Sequence, residues 1–102
     1  MQTNPTNPLQ FARQILSPDT IASVAKSPYN SYGWAILDRW AYNSPAALKQ
    51  LENQGEVILL GRLLEQQETE QQALTTEQAI IQRGKGSMPY EILQQLEIQT
   101  SL

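Results

Sequence analysis

The chain has 102 residues, a formal net charge of -3, and 40% hydrophobic and 17% charged side chains, with no cysteine and no histidine. That length supports one modest core, so a single domain is expected. The two absent residue types exclude disulfides, thiolate nucleophiles, zinc ribbons, iron–sulfur ligation, the Ser–His relay and the commonest transition-metal ligand.

Residues 1–7 read as a mobile N-terminal segment. They have neither the basic start nor the apolar run of a secretion signal. Asn7-Pro8, Ser17-Pro18 and Ser44-Pro45 each place a capping side chain before a proline. The cap accepts a bond from a free backbone N–H, and proline suits the first helical position because it has no N–H to orphan. An apolar pattern at helical spacing follows each pair. Leu9, Phe11, Ala12, Ile15 and Leu16 follow the first. Ile21, Val24 and Ala25 follow the second, closed by Ser27-Pro28 because proline disfavours helix in the residue before it. Asn30 or Ser31 caps the next segment, through Trp34, Ile36, Leu37, Trp40 and Ala41 to Tyr42.

After Pro45 come Ala47, Leu48 and Leu51, fading at Asn53-Gln54-Gly55. The pattern allows either a break at Gly55 or a helix running through it. Another helix starts near Glu56, with Val57, Leu60 and Leu64 on one face and Leu59 and Leu63 beside them. Gly61 inside it costs about 1 kcal/mol relative to alanine, which points to close packing against a neighbour. From Glu65 to Gln72 the apolar stripe is lost, so a solvated helical extension is expected. Thr75-Thr76-Glu77-Gln78 resembles a capping box opening a short turn through Ala79, Ile80 and Ile81. Arg83 to Ser87 is a loop, and Pro89 starts a last helix with Tyr90, Ile92, Leu93 and Leu96. Residues 98–102 read as a mobile end. There is no alternating strand pattern. The expected fold is all-α, a compact bundle of five to six short helices with no sheet, in one domain over 8–97.

The two halves differ. Through Ala47 the charges are Arg13, Asp19, Lys26, Asp38 and Arg39; from Leu48 eight glutamates face Lys49, Arg62, Arg83 and Lys85. The first half carries six of the seven aromatics. Fourteen glutamines, mostly after Gln50, read as neutral helix surface.

Five aromatics between Tyr29 and Tyr42, interleaved with Gly, Asn and Ser, have the composition of a binding surface. Trp34, Leu37 and Ala41 share a stripe that faces the core. Tyr29, Tyr32, Trp40 and Tyr42 lie off it and are the candidate partner contacts. Arg83, Lys85 and Ser87 form a weaker anion-binding candidate, since the loop's backbone N–H groups and two cations precede a helix. The Walker spacing is absent, and Gly84 as helix end with Ser87 as cap accounts for the loop as well. Glu65, Glu68 and Gln72 share a face, as do Asp38 and Tyr42; the glutamates lie in the most polar stretch, where a solvated face is expected rather than a metal or acid–base pair.

These residues predict a non-catalytic protein–protein interaction module: a small adaptor, regulator or assembly accessory protein binding another protein or a second copy of itself. No enzyme activity, cofactor or metal is expected. The longest apolar run, Val57 to Leu60, is too short to span a bilayer, so a soluble cytoplasmic protein without a membrane partner is expected. The alternative is a nucleic-acid-binding regulator using a helix-turn-helix-like pair at 18–42. Net acidity, and Arg39 as the only cation on its second helix, make nucleic acid the weaker expectation.

Overall fold

A computed structural model describes residues 8–102; the expected mobile segment 1–7 and the Asn7 cap lie outside it. Among the described residues there are seven helices and no strand: α1 Ala12–Ile15, α2 Pro18–Val24, α3 Ser31–Asn43, α4 Pro45–Gln54, α5 Glu56–Leu74, α6 Glu77–Gly84 and α7 Pro89–Gln95. The all-α bundle stands, with a slightly higher helix count. Gly55, at φ +143°, breaks the chain between α4 and α5.

Local capping sets several starts. The Ser17 hydroxyl accepts from Thr20 N, Asn30 Oδ1 from Tyr32 N, and Thr76 Oγ1 from Ala79 N. The first helix differs from expectation. Residues 8–11 are turns, with Leu9 buried at φ +65°, and α1 spans a single turn. Its opening N–H groups, from Phe11 and Ala12, donate at 3.1 and 2.9 Å to Asp38 Oδ1 on α3. A carboxylate from a distant part of the chain therefore caps this helix. Ser87 does not cap α7 either. The N-cap is Met88, whose N–H donates to Glu91 Oε1 at 2.7 Å.

The central helix α3 packs on α5, α1 and α4. Its buried stripe is Gly33, Ile36, Leu37, Trp40 and Ala41, the i, i+3, i+4, i+7, i+8 series of one helix face. The larger apolar cluster joins this stripe to Leu9, Ala12, Leu16, Ile21, Val24, Leu48, Leu59 and Leu63. A second, smaller cluster holds Leu74, Ala79, Ile92 and Leu93, with Tyr32, Ala73 and Ile98 packed against it.

Helix α5 runs from the first cluster to the second. Its inward face is continuous, Leu59, Leu63, Gln66, Gln67, Glu70 and Leu74, but changes from leucine to glutamine and glutamate midway. The solvated extension expected over Glu65 to Gln72 is thus only half right. Glu65, Glu68 and Gln72 are exposed, whereas Gln66, Gln67 and Glu70 are buried. Gly61 is also corrected. It is exposed, and a Cβ added there would meet nothing within 4 Å. The close approach occurs at Gly33, where an added Cβ would collide with Gln67 Oε1.

Candidate functional site

The buried polar side chains of α5 hold two segments that are not helical. Gln67 Oε1 accepts from Asn30 N at 3.2 Å, and its Nε2 donates to Pro28 O at 3.0 Å. Asn30 Nδ2 reaches Gln71 Oε1 at 3.1 Å. One amide pair thereby satisfies the backbone of the α2–α3 connection, which buried polar groups require.

One residue back, Gln66 Nε2 donates at 2.6 Å to both Glu70 Oε2 and the carbonyl of Gln99. Glu70 takes the Arg39 guanidinium bidentately, at 3.2 and 2.6 Å. Arg39 Nε and Trp40 Nε1 then converge on the Thr100 carbonyl at 3.0 and 3.1 Å. Arg62 closes the row by donating to Gln66 Oε1 at 2.8 Å while lying 5.1 Å from the centroid of the Trp40 ring. The end expected to be mobile, 98–102, is therefore tied to the bundle through two main-chain carbonyls and the packing of Ile98.

The sequence-predicted aromatics separate in this frame. Trp40 is 1% exposed and belongs to the core, so it is not a free contact residue. The stripe that buries it begins at Gly33, which has no side chain to mark it. Tyr29 packs against the larger cluster and donates to Leu60 O at 3.0 Å; burial raises its phenol above the ordinary value. Tyr42 is 69% exposed, with its ring edge-to-face on Phe11 at 5.1 Å. Trp34 is half-buried and donates its indole N–H to Val24 O at 2.7 Å.

Tyr32 lines a cleft of about 370 Å³ where α3, α5, α6 and α7 meet, while Trp34 lines a separate one with Leu9, Arg13 and Ala25. Leu74 and Leu93 are its buried apolar residues; the Arg39–Glu70 pair, Ala35, Arg83 and Tyr90 also line it. Arg83 and Tyr32, far apart in sequence and belonging to two separate candidate sites, share this cleft. Lys85 and Ser87 do not line it. The ion pairs among the described residues are Arg39–Glu70 and Lys49–Glu52, so Arg83 has no carboxylate partner there. Comparison with protein-family models, curated proteins and solved structures found no match to this chain.

The C-terminal α6–α7 hairpin, of which Tyr90 lines the cleft, leaves large apolar side chains in solvent. Ile80, Ile81, Met88, Tyr90 and Leu96 are 50–61% exposed. The sequence puts its candidate contacts among the first-half aromatics and gives Ile80, Ile81 and Leu96 only as apolar positions of a short turn and a last helix. The signal available is the shortness of α6 and α7, which cannot bury so many large side chains in a cluster of only four buried residues. The helix pair at 18–42 also looks different. The second helix, α3, is the central element of the fold and is covered by α1, α4 and α5. No helix of the described residues is long and apolar enough to cross a membrane.

Proposed function

We propose that this protein is a non-catalytic interaction module that binds another protein, or a second copy of itself, through its C-terminal helical hairpin. The observation that carries this reading is the exposure of Ile80, Ile81, Met88, Tyr90 and Leu96 on α6, the loop after it, α7 and the C-cap of α7. Scattered apolar residues are ordinary on a surface, but a concentration on one small hairpin is the mark of a contact region. Three of the five are isoleucine or leucine, which offer area without polar function, and Tyr90 adds the stiff, amphipathic ring favoured in interface centres. The residue inventory supports contact over chemistry, because the commonest acid–base and nucleophilic side chains, His and Cys, do not occur.

The test is the double variant Ile80→Glu with Ile81→Glu, both on the outer face of α6. Wild-type protein is expected to self-associate with rising concentration in sedimentation velocity, or to retain a stoichiometric partner from a native extract. The variant is expected to lose that association while keeping its helical circular dichroism. A wild-type chain that stays monomeric and retains nothing, or a variant that retains as much, refutes the reading.

A further inference from the structure

We propose that the cleft between α3, α5, α6 and α7 receives an extended segment of a partner protein that presents an apolar side chain beside a carboxylate. The proposal rests on the interaction reading above and specifies the chemistry of the partner. The apolar half of the argument comes from Leu74 and Leu93, both buried at the cleft, and from the two tyrosines, Tyr32 from α3 and Tyr90 from α7. A cavity of about 370 Å³ holds one large side chain and its backbone rather than a helix face. Two aromatic rings over a floor closed by Leu74 and Leu93 favour an aliphatic or aromatic residue.

The carboxylate half comes from the charge balance. Two guanidinium groups and one carboxylate line the cleft, in a chain whose overall charge is -3. Glu70 is spent on Arg39, whose fork it fills on two nitrogens. Arg83 has no carboxylate partner among the described residues, which leaves a planar fork able to take a carboxylate on two parallel hydrogen bonds. A nucleic-acid strand could stack bases on the same tyrosines, but its many phosphates would meet a net acidic protein. An isolated carboxylate on a mostly apolar segment meets only the local positive balance.

The experiment titrates the full chain by NMR, following backbone and arginine Nε–H resonances. The probes are acetyl-phenylalanyl-aspartyl amide, its asparagine counterpart, phenylacetate and an eight-nucleotide oligothymidine. The expected result is millimolar binding of the aspartyl peptide, with movement of the Arg83 Nε–H and Tyr90 resonances. Replacing the aspartate by asparagine, or Arg83→Gln, should weaken it about three- to five-fold, the range of a solvent-accessible ion pair. Lys85→Gln, at the C-terminal cap of the same helix but outside the cleft, should leave it unchanged. Equal binding of the aspartyl and asparaginyl peptides overturns the proposal, as does an equal loss with Lys85→Gln or no cleft response at about 20 mM probe. Tighter binding of oligothymidine at Arg83, or phenylacetate binding as well as the peptide, overturns the assignment to a protein segment. If these results are negative while Ile80→Glu with Ile81→Glu still abolishes association, only the cleft proposal falls. A cleft that binds the peptide in a chain that neither self-associates nor retains a partner sinks the interaction reading instead.

Discussion

Glu52 joins the start of α2 to the end of α4, and replacing it with glutamine should make stability depend on pH in a calculable way. Its Oε2 accepts from Ser17 N and from Thr20 Oγ1, both at 2.8 Å, and its Oε1 from Lys49 Nζ at 2.8 Å. Partial burial pushes the carboxyl upward. The bonds from Lys49, from the Ser17 N–H and from the Thr20 and Ser17 hydroxyls outweigh it and hold the pKa at about 2, against an ordinary 4.5. Since one pH unit is worth about 1.4 kcal/mol, the full difference is about 3 kcal/mol. Lys49 is half exposed and its share is screened, which reduces the expectation to about 2 kcal/mol. A folded-state pKa below the unfolded one gives stability that is fully present above about pH 4.5 and is lost as pH falls toward 2. Urea unfolding of wild type and Glu52→Gln should therefore differ by about 2 kcal/mol at pH 7 and converge near pH 2. The other carboxylates titrate in both proteins and cancel in the difference. A gap that is constant from pH 2 to 7, or absent at pH 7, refutes the reasoning.

Four further outcomes follow from the packing on and around α5. Glu70→Gln leaves the Arg39 guanidinium without its counter-charge beside a nearly buried position, and chemical denaturation should show a loss of about 3 kcal/mol. Gly33→Ala should cost about 1–3 kcal/mol, because the new methyl displaces Gln67 from the α2–α3 backbone it satisfies. Gly61→Ala, on an open helical surface, should instead stabilise by about 1 kcal/mol in the same assay. Ile98→Ala should loosen the terminal segment, so the Trp40 indole N–H, bonded to Thr100 O, should exchange with solvent about tenfold faster by NMR. The Trp34 indole, bonded to Val24 O, should not change and serves as the internal control.

The candidate site was legible only in pieces. Tyr32 and Arg83 are each visible as residue types suited to binding, but nothing local connects positions separated by half of the chain. Trp40 was misread because the stripe that buries it begins with a glycine, so the counting of apolar residues started one position late at Trp34. The Gln66, Gln67 and Glu70 misreading has a different origin. A glutamine has the same composition whether water or a partner's backbone satisfies it, and only the partner decides between them.

The starts of α2, α3 and α6, the helical type and the broad fold class belong to the sequence by itself. A cap acts on an N–H two or three residues away, and the 3.6-residue period is written along one strand of chain. Ser17, Asn30 and Thr76 are therefore readable without any knowledge of neighbours. The tertiary structure alone decided what each face meets. Asp38 caps a helix some 26 residues back, Gln67 occupies the space left by Gly33, and Arg39, Trp40 and Gln66 together hold the carbonyls of Gln99 and Thr100. Those contacts involve residues far apart in the chain, whose side chains carry no local trace of the pairing. For the same reason Trp40 is buried while Tyr42, two residues on, is exposed: burial belongs to the packed arrangement and not to residue type.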